Sequence, residues 1–211
     1  VSTTIVLVRH GEAATDGCCA GVRFDPPLTR EGRAQAQRAR QRSDAVLGAS
    51  PALVVASPAR RARQTAAVWT HEPLIEPRLA ERDWGEWEGR PWAQLWAEAP
   101  AGVTEDVGSY LAFTPPGAEP MADVRARAAR ALVALAEGPA ATVVAVTHAG
   151  PLRLAAGHLC GLDAADAFAL GAPHAGGLVL TRAARGWHMT TLEAHSCLAA
   201  DVPPSSSGPC R

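Results

Sequence analysis

The sequence predicts an α/β fold: a three-layer αβα sandwich around a mostly parallel central sheet. Three observations predict it. Short apolar, β-branched runs recur at Thr4–Val8, Leu53–Ala56 and Thr142–Thr147, and continuous apolar runs of that kind are strands covered on both faces. Stretches rich in Ala, Leu and Arg, long enough for helices, lie between them. Each of the three strands also stops at a polar cluster: Arg9-His10-Gly11-Glu12, Ser57 through Arg61, and His148-Ala149-Gly150. In open parallel sheets ligands bind beyond the strand carboxyl ends, so the pattern that sets the fold also marks a candidate site.

Along the chain, Thr4–Val8 is the first strand, and residues 13–27, with Gly, Cys and a Pro-Pro pair, form a loop. Thr29 is a candidate N-cap for a helix reaching about Leu47. Leu53–Ala56 is the second strand. Ser57-Pro58 opens the next helix, since proline's missing N–H costs nothing in a first turn. Leu74–Leu79 reads as a weak strand interrupted by Pro77, and residues 80–90 as a polar loop carrying tryptophans. Helices follow around Pro91–Glu98, Val107–Phe113 and, longest of these, Met121–Ala136. After the strand Thr142–Thr147 comes a helix over Leu152–Cys160. Leu178–Arg182 and Trp187–Leu192 read as a terminal strand pair, and the Pro-, Ser- and Gly-rich Pro203–Arg211 as a disordered tail.

A chain of 211 residues is read as one domain over residues 1–200, with 90–120 as a lid or insert and 201–211 as tail. Hydrophobic residues at 47% and charged residues at 19% exclude a disordered chain. No stretch without Asp, Glu, Lys or Arg, Gly138–Leu152 and Ala167–Thr181 included, reaches the ~20 apolar residues of a bilayer span. No basic segment followed by an apolar run opens the chain, so no signal peptide is expected. A net charge of −1 argues against nucleic acid or a membrane surface as partner. All 20 basic residues are Arg, as GC-rich coding favours, which excludes any mechanism that needs a lysine. The five Cys form no CxxC pair, so neither a zinc site nor a redox motif is supported. Cysteine usage and the missing signal together place the chain in a reducing cytoplasm.

A lone histidine is most often a surface or satisfied core residue. Two at strand ends form a different pattern, with Arg9 beside one and Arg60, Arg61 and Arg63 opening a neighbouring helix. Guanidinium forks pair bidentately with phosphate oxygens, and a helix N-terminus adds its dipole. The cluster suits a tetrahedral dianion.

Five blocks carry this further: Leu7-Val-Arg-His-Gly-Glu12, Pro27-Leu-Thr-Arg-Glu-Gly32, Ser57-Pro-Ala-Arg-Arg-Ala-Arg-Gln-Thr-Ala66, Leu79-Ala-Glu-Arg-Asp-Trp-Gly-Glu-Trp-Glu-Gly89 and Val146-Thr-His-Ala-Gly150. In this order they resemble the motifs of the histidine phosphatase superfamily, which includes the cofactor-dependent phosphoglycerate mutases. The resemblance implies that His10 is the nucleophile and forms a phosphohistidine, its other ring nitrogen donating to a backbone carbonyl. Arg9, Arg61 and His148 would clamp the phosphoryl oxygens. Arg61 is chosen because it stands directly before Ala-x-x-Thr; Arg60 and Arg63 are read as solvated or structural. Glu81 matches the family's acid, protonating the leaving alkoxide and then helping to deprotonate water, with Glu86 and Glu88 as loop carboxylates. Ala149, after the second histidine, joins the phosphate-binding set. Neither a metal nor a cofactor is expected, because Arg and His supply the positive field. The implied partner is a small-molecule phosphate ester, and the implied assembly a homodimer.

The chain also departs from the family. Mutase-like members often carry a phosphate-binding Asn six residues after the nucleophile, where this chain has Asp16. A carboxylate there would be repelled by phosphate, so the loop, with its unusual Gly17-Cys-Cys-Ala-Gly21, is expected to turn Asp16 away. Arg23 either restores a positive contact or is solvated. Trp84, Trp87, Trp92 and Trp96 either pack a loop and helix onto the body or wall the organic part of a substrate. Arg33, Arg38, Arg40 and Arg42 read as a solvated helix face. The preferred reading is a phosphatase of small phosphomonoesters, resembling the α-ribazole and broad-specificity phosphatases. The alternative is a phosphomutase. The absent Lys and the short segment from Arg90 to Gly117 weigh against it, since a mutase must keep water from its phosphohistidine. A non-catalytic binding module is disfavoured because nucleophile, clamp and acid are all retained.

Overall fold

The computed structural model describes residues 3–48, 51–103, 105–184 and 186–195. Its strands are β1 (Thr4–Arg9), β2 (Leu53–Ala56), β3 (Leu74–Ile75), β4 (Thr142–Thr147), β5 (Gly177–Ala183) and β6 (Gly186–Thr191). Its helices are α1 (Arg30–Leu47), α2 (Arg60–Ala66), α3 (Trp92–Glu98), α4 (Val107–Ala112), α5 (Met121–Glu137), α6 (Ala149–Leu159) and α7 (Ala164–Ala169). The strands form one mixed sheet in the order β3-β2-β4-β1-β5-β6, in which β5 alone runs against the others. The α/β class and the mostly parallel sheet are as expected.

Alternation along β1 builds the layers. Val6 and Val8 pack with Ala39 of α1 and Ala62 and Ala66 of α2, whereas Ile5 and Leu7 pack with Leu132 of α5 and Leu152 of α6. Each such Val, Ile or Leu side chain contributes roughly 1.5–3 kcal/mol by leaving water. A third cluster joins Cys19, Trp84, Trp87, Leu95, Met121, Val124 and Leu154, with Trp92, Trp96, Tyr110 and Phe168 packed on it. It mounts the 80–90 loop, α3, α4 and α7 beside the carboxyl edge of the sheet.

That edge is level. Arg9 of β1 pairs with Thr147 of β4, and Ala56 of β2 with Val146. The connection leaving β1 runs to β2, beyond β4, and the one leaving β4 runs to β5, beyond β1. The crevice between β1 and β4 is therefore a topological switch point, where such sheets bind ligands.

Several boundaries differ from the sequence reading. Helix α2 begins at Arg60 rather than at Ser57-Pro58, because the Ser57 hydroxyl accepts from the Ala59 N–H and holds a turn first. The third strand shrinks to β3, and Pro77 instead opens a 3-10 turn over Pro77–Leu79, capped by the Glu76 carboxylate. Helix α6 starts at Ala149, three residues early, with Pro151 in its first turn. Helix α7 was not foreseen; Asp163 caps it by accepting from the Asp166 N–H. Thr29 caps α1 as expected, accepting from the Gly32 N–H. The expected tail, Pro203–Arg211, lies outside the described residues. Among the described residues no helix is long and apolar enough to cross a membrane.

Candidate active site

One residue past β1, the His10 N–H donates to the Thr147 carbonyl at 2.9 Å, which keeps the chain in line with the sheet. The His10 Nδ1 lies 2.7 Å from the Gly11 carbonyl oxygen. A carbonyl only accepts, so Nδ1 carries the ring proton and Nε2 presents a lone pair. The next residue has no room for a side chain. A Cβ on Gly11 would sit 2.2 Å from the Gly32 carbonyl oxygen, and one on Gly32 2.0 Å from that of Glu12. The first turn of α1 thus rests directly on the histidine loop. His10 is buried, and burial first, then the Arg61 charge, hold its pKa well below the ordinary histidine value. The imidazole is neutral at physiological pH.

Arg61 enters from the first turn of α2 and is 1% exposed. Its Nε lies 3.3 Å from the His10 Nε2, while Nη1 pairs with Asp25 at 3.3 Å and Nη2 donates to the Gly21 carbonyl at 3.0 Å. On the other flank, the Arg9 Nη1 donates to the Ala172 carbonyl at 2.7 Å and Nη2 to the His174 Nε2 at 2.8 Å. Burial first and then Arg9 push the His174 pKa down to about 4, so this ring is neutral and accepts. It lies 6.0 Å from the His10 ring.

His148 caps α6, fully buried, its ring edge-on to His10 at 5.0 Å. Its Nε2 is 2.8 Å from the Ser57 hydroxyl. The Glu81 carboxyl facing Nδ1 favours the tautomer with the His148 proton there, in which Nε2 accepts from the Ser57 hydroxyl. Among the described residues Nδ1 has no hydrogen-bond partner, and it lies 3.7 Å from the Glu81 Oε2. A buried polar atom without a partner is rare and calls for a ligand or a function. Burial, Arg61 and the other nearby cations keep His148 neutral as well.

The Glu81 Oε1 accepts from the Arg82 N–H at 2.9 Å. Burial raises its pKa against the opposing pull of Arg61, which leaves it more easily protonated than an ordinary carboxylate. Arg127 of α5 holds its backbone in place. The guanidinium donates to the carbonyls of Arg78, Ala80 and Glu81 and pairs with Glu119. Arg127→Met strands three carbonyls and a carboxylate, and a loss of about 2–4 kcal/mol is expected. At this chain length each kcal/mol moves Tm by about 2–4 °C, so a thermal melt checks it; an unchanged Tm would show that water replaces the guanidinium at no cost.

Of the residues picked out in the sequence, Arg9, His10, Arg61, Glu81 and Ala149 line one cavity of about 500 Å³, and His148 packs against His10. Arg23 does not join them. Its guanidinium is drawn to Asp83 at 2.8 Å and to the Gly85 carbonyl. Asp16 is exposed in a left-handed turn, φ 51°, and is not among the cavity residues. Glu88 is more than a loop carboxylate. It accepts from the backbone N–H groups of Val22, Arg23, Phe24 and Trp84 and so ties the two loops that frame the site. On α1, Arg33 and Arg38 are exposed, but Arg40 donates to the Val68 carbonyl and Arg42 to that of Ala175. Of the tryptophans, Trp84 and Trp87 are core, and Trp84 and Trp92 also wall the cavity.

Sequence reasoning missed His174, Arg127, Asp25 and the part played by Ser57. The one available signal for His174 was its place in a charge-free segment just before a strand. Because β5 is antiparallel to β1, the loop before it arrives at the same sheet edge as the end of β1. Among the described residues, no group of three or more His, Cys, Asp or Glu could hold a metal.

The sequence model of the histidine phosphatase superfamily (branch 1) matches residues 5–195. The glucosyl-3-phosphoglycerate phosphatase of Mycobacterium tuberculosis is 33% identical over 183 residues, 79% of this chain and 79% of that protein. Fructose-2,6-bisphosphatase TIGAR of Xenopus laevis is 36% identical over 132 residues, 58% of this chain and 46% of that one. The native structure of mycobacterial glucosyl-3-phosphoglycerate phosphatase superposes with a TM-score of 0.74 at 28% identity, covering 90% of this chain and 98% of that one. The α-ribazole phosphatase from Shigella flexneri superposes with a TM-score of 0.79, covering 94% and 100%; at 24% identity this likeness is one of fold.

Proposed function

The chain belongs to branch 1 of the histidine phosphatase superfamily, and from that premise we propose that it hydrolyses a small-molecule phosphomonoester through a phosphohistidine on His10, without a metal. One observation carries the reading: a neutral His10 whose Nε2 lone pair stands 3.3 Å from the buried Arg61 guanidinium, at the wall of a cavity that also holds Arg9 and Glu81.

The steps follow from the side chains. Arg9, Arg61 and the Nδ1–H of His148 donate to the non-bridging oxygens of the phosphoryl group. The orphaned buried donor thereby gains its partner, and positive charge meets the oxygens where it is needed. The Nε2 lone pair attacks phosphorus in line, a nitrogen–phosphorus bond forms and the ester P–O bond breaks. Glu81, protonated, gives its proton to the departing oxygen, and the alcohol leaves. The Glu81 carboxylate then takes a proton from water as that water attacks phosphorus, so inorganic phosphate departs and Nε2 recovers its lone pair. Glu81 favours this His148 tautomer and Gly11 fixes that of His10, so neither ring has to reorganise.

The test is phosphate release from a panel of phosphomonoesters that includes a phosphoglycerate. Free phosphate is expected to appear at least as fast as any isomer, and dialysis against a chelator to leave the rate unchanged. Orthovanadate should inhibit competitively, since its five-coordinate adduct resembles the in-line transition state; a relative's structure is described as a complex with VO3. Rapid isomerisation with little phosphate would make the protein a phosphomutase, and a rate abolished by chelator and restored by Mg²⁺ or Zn²⁺ would place the chemistry elsewhere.

A further inference from the structure

We infer that the leaving group of the substrate carries a flat apolar ring, held against Trp92, Tyr110 and Phe168; the inference rests on the phosphatase reading above and names the substrate class for the same site. The cavity has two unlike ends. Beside His10 its wall is charged. Away from it the wall is made by Trp84, Trp92, Tyr110, Met121, Val124 and Phe168, contributed by the 80–90 loop, α3, α4, α5 and α7.

These rings are fixed before any ligand arrives. Trp92 stands edge-on to Trp84 at 5.1 Å and is stacked on Trp96 at 5.2 Å. Tyr110 lies 5.1 Å from Phe168 and 5.9 Å from Trp96. Arg153 of α6 is held by the Leu170 carbonyl at 2.7 Å, with its guanidinium over the Phe168 ring at 5.2 Å. Trp92, Tyr110 and Phe168 are each half-buried and line the cavity, so part of each ring is open to a ligand. A preformed apolar wall binds a rigid flat group without the cost of ordering it.

A polyhydroxylated leaving group fits this end poorly. Every hydroxyl taken out of water needs a partner, and no Asn, Gln or Asp lines the cavity. Thr15 and Tyr110 bring hydroxyls, but the charged groups Glu12, Arg82 and Arg153 are already held by the protein. Arg82 donates to the Glu119 and Phe113 carbonyls and lies over Trp84 at 4.5 Å, and the Glu12 carboxylate accepts from Thr29. The wall rewards apolar area and offers little to a sugar.

Four primary alkyl phosphates test this with leaving groups of similar intrinsic reactivity: benzyl phosphate and 2-naphthylmethyl phosphate against glycerol 1-phosphate and glucose 6-phosphate. At the transfer free energy of apolar surface, burial of one or two rings is expected to raise kcat/KM by about 10- to 100-fold over the polyol esters. Phe168→Ala should then lower kcat/KM for 2-naphthylmethyl phosphate about 5- to 10-fold, mainly through KM, and leave glycerol 1-phosphate within about twofold, while Phe168→Tyr restores the ring substrate. Polyol phosphates turned over as well as the ring esters, or equal losses for both classes in Phe168→Ala, would overturn the inference while leaving the hydrolase reading standing. Should Phe168→Ala fail to fold, the wild-type ranking alone decides. If neither these four esters nor any other ester tried released phosphate, the phosphatase reading would be overturned and this inference with it.

Discussion

His10→Ala is expected to lose turnover by on the order of 10⁴-fold or more, because a missing nucleophile removes the covalent route altogether. In the wild-type protein, mixing with a labile phosphomonoester and quenching within milliseconds in alkali should trap one phosphoryl group. Mass spectrometry should place it on His10, and acid should release it, as expected of a phosphoramidate. The ring that receives it is neutral because burial and the adjacent Arg61 disfavour a second proton. The attacking atom is Nε2 because Nδ1 is committed to the Gly11 carbonyl. Arg61, 3.3 Å away, then accompanies the phosphoryl group onto nitrogen. A thermal melt of His10→Ala separates lost chemistry from lost structure, since the residue is buried. Near-wild-type turnover in a folded His10→Ala would reject the mechanism. Phosphate found on His174, 6.0 Å away, would move the nucleophile to the far side of Arg9.

What could be read from the chain divides by distance along it. Strands β1, β2 and β4 announce themselves as local apolar runs, and each hands over to its polar residues within one or two positions. Arg9, His10 and His148 therefore needed no long-range information beyond the order of strand ends, whereas Arg61 and Glu81 were picked out through their motifs. The features that were missed depend on contacts across the fold. His174 meets Arg9 from 165 positions away, and only the antiparallel placement of β5 brings it there. Arg127 reaches carbonyls 46 to 49 positions back, and nothing in an Ala- and Arg-rich helix distinguishes one arginine from its neighbours. Arg23, read as either a phosphate contact or a solvated residue, finds its partner in Asp83, 60 positions on, which its local sequence does not announce. Helix α7 is only six residues long and was hidden by its brevity, although Asp163 followed by Asp166 is a usable capping signal.

Glu81→Gln should separate proton transfer from every other role of that side chain. An alkoxide cannot leave unprotonated, whereas p-nitrophenolate needs little help. The substitution keeps size and hydrogen-bonding reach but removes the transferable proton. A loss of roughly 10²–10⁴-fold is expected for alkyl phosphates, the range that general acid catalysis supplies. The phosphorylation burst with p-nitrophenyl phosphate should fall far less; the burst must be read because Glu81 also serves the attack of water. The pH dependence carries the same signature. Burial raises the Glu81 pKa above the ordinary carboxylate value, and the acid form is the active one in the first step. The wild-type phosphorylation rate for alkyl esters should therefore decline as pH rises through that raised value. On the acid side it is limited by protonation of His10, which sets in only well below the usual histidine pKa. The aryl ester should lack the alkaline decline, and the ratio of the two substrates at each pH cancels titration of the phosphoryl group itself. In Glu81→Gln the alkyl rate should lose the decline too, because no proton remains to titrate. Equal losses for alkyl and aryl substrates in the burst, with the alkaline limb retained, would mean that Glu81 acts by binding or support. The proton would then have to come from another group.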